Sequence, residues 1–341
     1  MLTPLLELTP RGLYCPPGDF HIDPWLPVPR ALVTHAHADH ARWGCDRYLA
    51  VRDGQHLLRT RLGAGIHLDT LEYGESLSIN GVHISFHPAG HVLGSAQIRL
   101  EHHGEIVVVS GDYKLDADPT CRPFEPVRCH TFLTESTFGL PVYRWDATAI
   151  TFDQVNDWWR GNRDAGKASL ILSYALGKAQ RVMAGVDATI GPIFTHGAVE
   201  KVTRAYRDSG VNLPPTTPVS DQPRGTSWAG ALIVAPPSAD GTSWARKFQP
   251  LSTAMASGWM RVRGQRRRRS VDRGFVLSDH ADWPGLLRAI DATGAQRVLV
   301  THGFSAVLAR HLTEQGLQAE TLATRYEGEI DEPADAEVVP A

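Results

Sequence analysis

The chain opens with short apolar runs that stop at polar, chemistry-bearing residues. Residues 12–23 read as a strand, a Pro16-Pro17-Gly18 turn and a second short strand, Phe20-His21-Ile22, that ends at Asp23 before Pro24. Ala31-Leu32-Val33 has the character of a buried strand. Asp39 to Arg47 reads as a short helix, Tyr48 to Val51 as a strand and Gly54 to Arg61 as a helix. Ser76 to Ile79 and Val82 to Phe86 flank Asn80-Gly81, the strongest two-residue hairpin signal. Gln97 to Glu101 alternates, His102-His103-Gly104 turns, and Ile106 to Val109 forms an apolar strand that runs into Ser110-Gly111-Asp112.

The pattern changes after residue 140. Asp153 to Arg163 is helical, Ser169 to Ser173 is a buried-type strand, and a helix follows Gly177-Lys178. Ile193 to Thr195, Val199 to Asp208 and Ala231 to Ala235 continue the alternation, with a long Pro-, Thr-, Ser- and Gly-rich loop over 209–230. Strand-helix alternation of this kind predicts a separate α/β unit with a parallel sheet. From Gly274 the first style returns, with strands at Gly274 to Leu277 and Arg297 to Val300 and a helix over Trp283 to Thr293. The run after Glu327 is acidic and proline-containing and reads as disordered.

Composition narrows the classes. The chain has 341 residues and a formal net charge of −3, so global charge carries no signal for nucleic acid. One stretch is strongly basic, Arg261 to Arg273, either a solvated loop or a phosphate-binding one. Four cysteines, Cys15, Cys45, Cys121 and Cys129, form no Cys-x-x-Cys pair, whereas there are sixteen histidines. A metal site would therefore use nitrogen and oxygen ligands. The N-terminal run lacks a signal-peptide pattern and no apolar run approaches the ~20 residues of a membrane span. The expectation is a cytoplasmic protein.

The densest chemistry is His35-Ala36-His37-Ala38-Asp39-His40, directly after the Ala31-Leu32-Val33 strand. Imidazoles and a carboxylate suit zinc, and also manganese or iron. His91, Asp112, His280 and His302 lie far apart in sequence but at successive strand ends, where together they complete a binuclear site. One ion would take His35, His37, His91 and Asp112, and the other Asp39, His40, Asp112 and His302. Asp23 would orient the ligand loop from behind, because metal-bound imidazoles need an orienting acceptor, with a turn cap as the alternative. Lys178, after Gly177 at a helix start, suits a phosphate contact, with Ser173 and Tyr174 beside it in sequence. Trp228, Trp244 and Trp259 are either core or base-stacking residues.

The spacing of Asp23, His-x-His-x-Asp-His, His91, Asp112 and His302 resembles the metallo-β-lactamase fold, a four-layer αββα sandwich of mixed α/β class. Thr134-Glu135-Ser136-Thr137, Ser173 to Gln180 and Ser278-Asp279-His280-Ala281-Asp282 add a resemblance to its β-CASP nuclease branch. Within it, Leu13 to Trp25 looks like the bacterial DNA-ligase-associated DNA exonucleases. The resemblance implies a metallo-β-lactamase domain in two parts, 1–140 and 273–327, an inserted β-CASP domain over 141–272, and a tail over 328–341. It also implies that Glu135 and His280 match two of the branch's motifs.

The implied activity is metal-dependent DNA exonuclease: hydrolysis of a phosphodiester by a metal-bound hydroxide on two divalent ions, zinc or alternatively manganese. Asp39, His280 and Glu135 would be catalytic, with His280 as general acid oriented by Glu135. The substrate would be DNA, single-stranded or with a free end, with 5′→3′ polarity. An ATP-dependent DNA ligase and a helicase of a repair cluster are the implied partners. A β-CASP ribonuclease is the alternative, followed by a small-molecule ester or thioester hydrolase and a non-catalytic nucleic-acid-binding scaffold.

Overall fold

The computed structural model describes residues 5–262 and 271–326. The expected tail, 328–341, and most of the arginine-rich stretch lie outside the described residues. In chain order, β1 (Glu7–Thr9), β2 (Gly12–Cys15), β3 (Phe20–Ile22), β4 (Arg30–Leu32), β5 (Arg47–Val51), helix α1 (Gln55–Leu62) and β6 (Leu68–Leu71) come first. Then follow β7 (Ser76–Ile79), β8 (Val82–Pro88), β9 (Ala96–His102), β10 (Glu105–Val109) and β11 (Thr131–Ser136). An alternating stretch continues with α2 (Thr148–Asp164), β12 (Ala168–Leu172), α3 (Lys178–Gly185), β13 (Ile193–Thr195), α4 (Gly197–Asp208), β14 (Thr217–Pro218), β15 (Leu232–Ala235), α5 (Ser243–Arg246), β16 (Leu251–Ala256) and β17 (Arg273–Phe275). The last elements are α6 (Trp283–Thr293), β18 (Arg297–Gly303), α7 (Ser305–Glu314) and β19 (Gln318–Thr321).

The described residues of Met1–Arg144 and His280–Ala341 form one compact unit, and Trp145–Asp279 form another. The first unit contains a sheet ordered β1 to β6 and a seven-stranded sheet ordered β19-β18-β11-β10-β9-β8-β7. Period-two side-chain placement gives the second sheet two apolar faces. Val107, Val109, Leu133 and Leu299 point into a core shared with Leu13, Ile22, Leu32 and Leu49 of the first sheet. Their neighbours Val108, Phe132, Val298 and Val300 point the other way, onto Leu286, Ala289 and Ile290 of α6 and Leu308 and Leu312 of α7. Full burial of one such side chain is worth roughly 1.5–3 kcal/mol. The central strands β10, β11 and β18 are thus clamped from both sides, and their C-terminal ends are rigid. Asn80 (φ 48°) and Gly81 (φ 83°) form the tight connection between β7 and β8.

The second unit has an all-parallel sheet ordered β14-β13-β15-β12-β16-β17. It too is apolar on both faces, with Ile171, Leu232 and Val234 against α2 and α3 residues such as Trp159 and Val182. Leu170, Ile233 and Phe248 occupy the opposite face. Two-sided burial explains why these strands read as continuous apolar runs.

One expectation needs correction. Asp39 to Arg47 is not a helix. The amides of His40 and Ala41 both donate to His37 O, at 3.2 and 2.8 Å, which closes one turn only. Gly44 then takes φ 89°, and Asp46 N bonds Val28 O at 3.1 Å, returning the chain to β5. Of the two roles open to the three tryptophans, core packing is the one observed. Trp228, Trp244 and Trp259 pack against the second unit's core, and Trp228 and Trp244 contact Phe248 with ring centroids 4.9 and 4.7 Å away.

One glycine fixes how closely the ligand-bearing loops approach. Gly111 has φ 56°, and a Cβ there would lie 2.7 Å from Thr34 Cβ. The left-handed backbone alone costs a non-glycine residue about 1–2 kcal/mol. Gly111→Ala is therefore expected to lower unfolding free energy by at least about that much in a urea titration.

Candidate metal centre

The centre is assembled in the first unit from loops that leave strand ends. His35, His37, Asp39 and His40 follow β4, Asp112 follows β10, His91 lies between β8 and β9, and His302 lies at the end of β18. Backbone bonds tie the loops together: Ala96 N donates to Thr34 O at 2.8 Å, and Ser110 N to Leu133 O at 3.0 Å. Ser136 Oγ contacts the carbonyls of Thr301 (2.8 Å) and His302, and so holds the end of β18 to β11.

Asp112 is the hub and is 2 % exposed. Its Oδ2 lies 3.5 Å from His35 Nε2, 3.6 Å from His40 Nε2 and 3.8 Å from His91 Nε2. Its Oδ1 lies 3.2 Å from His302 Nε2. His37 Nδ1 is 3.1 Å from His35 Nε2 and 3.0 Å from His91 Nε2. One ligand atom from each of His35, His37, His91 and Asp112 falls within a 4.8 Å group. Asp39 is more open, its Oδ2 3.7 Å from His40 Nε2.

The surrounding hydrogen bonds decide which ring nitrogens carry protons. Thr34 Oγ1 donates to Asp23 Oδ2 at 2.6 Å. It has no second proton, so it accepts from His35 Nδ1 at 3.0 Å. His40 Nδ1 donates to Asp23 Oδ2 at 2.7 Å. Thr301 Oγ1 donates to Thr134 O at 3.1 Å and so accepts from His302 Nδ1, also at 3.1 Å. When neutral with Nδ1 protonated, an imidazole at His35, His40 or His302 presents its Nε2 lone pair toward a carboxylate. His40 Nε2, His302 Nε2 and Asp112 Oδ1 are buried, with no hydrogen-bond partner among the described residues. Buried acceptors facing acceptors are unfavourable unless a proton or a cation lies between them.

The donor set fits a divalent cation. Tetrahedral zinc with bonds of 2.0–2.1 Å places its ligand atoms about 3.3 Å apart, close to the separations around His35, His37, His91 and Asp112. The electrostatics point the same way. Burial opposes charge on His40, but Asp39, Asp112 and Asp23 outweigh it and push its pKa up to about 10. Burial, with His40 and His91 beside it, holds His35 well below the usual histidine range. Burial alone would raise Asp112, yet His40, His280 and His302 hold it well below the usual carboxylate range.

A second group joins Asp112 to Glu135 and His280. His280 Nδ1 is 2.9 Å from both Glu135 oxygens. Those atoms satisfy one another, so the pair reads as an oriented imidazole rather than a further ligand set. Tyr113 N and Thr137 N donate to the same carboxylate, at 2.9 and 3.3 Å. The His280 ring lies 4.6 Å from that of His91.

Asp23, expected to orient the ligand loop, sits behind it. Besides Thr34 Oγ1 and His40, it accepts from Thr34 N at 2.8 Å. Ser173, Tyr174 and Lys178 belong to the second unit. Lys178 is fully buried, with Nζ 3.8 Å from Asp279 Oδ2 and 5.0 Å from the Tyr174 ring centroid. Ser173 Oγ is buried without a hydrogen-bond partner among the described residues. The sequence reading missed Thr34, Thr301 and Tyr326. Two Thr-His pairs, Thr34-His35 and Thr301-His302, were a usable signal for the first two. Nothing local marks Tyr326, which stacks on His40 at 4.5 Å and whose phenol burial pushes well above its ordinary range.

No model of a protein family matches the chain. A "Probable DNA ligase" of Opitutus terrae is 32% identical over 312 residues, covering 91% of this chain and 30% of that protein. "Endoribonuclease YSH1" of Yarrowia lipolytica is 26% identical over 187 residues, 49% of this chain and 22% of that protein. Cleavage and polyadenylation specificity factor 73 of Drosophila melanogaster is 26% identical over 185 residues, 49% and 27%. The chain thus spans less than a third of the length of each of these relatives. The chain is similar to β-CASP nucleases. A crystal structure of a protein of unknown function from Enterococcus faecalis V583 matches with a TM-score of 0.56 at 10% identity, over 80% of this chain and 74% of that one, a likeness of fold alone. Among the described residues no helix is long and apolar enough to cross a membrane.

Asp23→Asn puts an amide where the carboxylate accepts from His40 and disturbs the tautomer that aims Nε2 inward. The expected loss is about 10- to 100-fold in metal affinity, read by competition with a chromophoric chelator.

Proposed function

We propose that this protein is a metal-dependent DNA exonuclease that hydrolyses phosphodiester bonds and acts in repair beside an ATP-dependent DNA ligase. The observation that carries the hydrolase reading is the convergence of His35, His37, His40, His91 and His302 on Asp112, with His280 and Glu135 alongside. The repair reading is supported by the Opitutus protein named "Probable DNA ligase", within which a region resembles nearly all of this chain. In this reading the first unit is a four-layer αββα metallo-β-lactamase domain. The second is a β-CASP insertion. The setting is cytoplasmic, with a helicase as a further partner and 5′→3′ polarity.

Two divalent cations, zinc in the first instance and manganese as the alternative, would be held by His35, His37, His91 and Asp112 and by Asp39, His40, Asp112 and His302. They supply Lewis acidity and a water made acidic enough to serve as nucleophile. The protein's own groups do the rest. Asp23, Thr34 and Thr301 keep Nδ1 of three ligand histidines protonated and so keep their Nε2 atoms available. Asp39, the most open acid of the set, would be the carboxylate available to a reacting water. Glu135 fixes His280 through Nδ1, which leaves Nε2 as the atom to protonate the departing oxygen. A positioned acid of this kind contributes about 10²–10⁴-fold. Lys178, Ser173 and Tyr174 are proposed substrate contacts, with Lys178 Nζ shared between Asp279 and a phosphate.

His280→Ala is expected to lower kcat about 10²- to 10⁴-fold with metal content unchanged, measured by single-turnover kinetics beside metal analysis. Glu135→Gln should act in the same direction and less severely.

A ribonuclease is the second reading, favoured by the relatives named as endoribonucleases. Matched end-labelled single-stranded DNA and RNA separate the two, with metal-free protein reconstituted with zinc or manganese and His37→Ala as control. The expected result is metal-dependent loss of DNA, RNA spared and the variant inactive, with label position reporting polarity. Preferred RNA cleavage moves the protein to RNA processing. No cleavage of either, with two metals bound, overturns the nuclease reading in favour of a small ester or thioester substrate.

A further inference from the structure

Tyr326 lies far from the ligand motifs in sequence and against two of their histidines in space. Its ring stacks on His40 with centroids 4.5 Å apart and planes 12° from parallel. The same ring meets His302 edge-on, at 5.9 Å and 81°. Its hydroxyl donates to the backbone O of Asp23 at 3.2 Å, and Asp23 is the residue that orients His40. The Trp25 ring, two residues beyond Asp23, packs edge-on to Tyr326 at 6.2 Å, and Arg325 lies over it at 5.4 Å. Leu322 N bonds Val300 O at 2.8 Å, tying the start of this segment to the strand that carries His302. The side chain is 9 % exposed, so this is a packed contact.

These contacts are not spread evenly over the centre. Tyr326 touches His40 and His302, the imidazoles assigned to one ion, and the ligand set of the other ion is His35, His37 and His91. His40 hydrogen-bonds through Nδ1, and a ring held at one edge can still tilt about that bond. A stacked face opposes the tilt and keeps Nε2 directed at Asp112.

We propose that Tyr326 is a positioning residue for one half of the metal centre, holding His40 and His302 so that the cation they share with Asp39 and Asp112 binds tightly. The proposal rests on the two-cation reading of the cluster and deepens it by making the two positions unequal in their dependence on the segment before residue 327. Because binding and positioning are linked, cation binding at that half should in turn hold the segment in place.

The test is titration of metal-free full-length protein with zinc against a chromophoric chelator, resolving two binding steps in wild type, Tyr326→Ala, Tyr326→Phe and His40→Ala. Tyr326→Ala is expected to weaken one step by about 10- to 100-fold, the step that His40→Ala abolishes, and to leave the other unchanged. Tyr326→Phe keeps the ring, loses only the hydroxyl and should stay near wild type. Two unchanged steps in Tyr326→Ala overturn the proposal. Equal weakening of both steps, with a fall in the melting temperature of the metal-free protein, also overturns it, because that is a general structural effect. A wild type that binds one cation, with His302→Ala unaffected, overturns the two-cation reading and the role of Tyr326 with it.

Discussion

Everything in the first unit's site depends on one unfavourable arrangement: buried acceptors aimed at one another. Asp112 is nearly inaccessible, and Nε2 atoms of four histidines lie within 3.2–3.8 Å of its two oxygens. In an apolar interior such a set is stable only with positive charge at its centre. The same crowding of Asp39, Asp112 and Asp23 pushes the pKa of buried His40 up to about 10. A divalent cation meets the same demand with fixed geometry and leaves a Lewis acid in place of a spare proton.

The scaffold makes that arrangement enforceable. Residues alternating along β10, β11 and β18 are packed on both faces of the sheet, so the ends of these strands cannot relax away from one another. Behind the ligands, a chain of hydrogen bonds runs from His35 through Thr34 to Asp23, and Asp23 also takes His40. Thr301 performs the same service for its neighbour His302 on β18. The ligand nitrogens are therefore directed twice, once by packing of the backbone and once by the tautomer their outer hydrogen bonds select.

His280 and Glu135 illustrate how chemistry can differ inside one cluster of like residues. Both are buried within reach of Asp112, yet His280 is engaged by two carboxylate oxygens and two backbone amides complete the Glu135 shell. His35, His40 and His302, by contrast, are anchored through Nδ1 by Thr34, Asp23 and Thr301 and turned toward Asp112. The partner at Nδ1 sets how each histidine of the cluster is oriented.

By itself, the sequence determined the strand-end placement of the candidate ligands, the Asn80-Gly81 hairpin and the parallel α/β character of a unit it bounded at 141–272. Those features follow from local rules: apolar periodicity, turn chemistry and the types of ligand a metal accepts. Only the tertiary structure decided that Asp23 faces His40, that two threonines set the tautomers, that Lys178 is buried on Asp279, and that Tyr326 covers His40. The segment from Asp39 to Arg47 shows the same division, since a helical-looking run is turned aside after one turn and drawn back by Val28 O. Each of these joins residues through burial and directional hydrogen bonds between distant parts of the chain. Spacing along a sequence constrains neighbours, whereas the partner of a buried polar atom is chosen by which strands pack together.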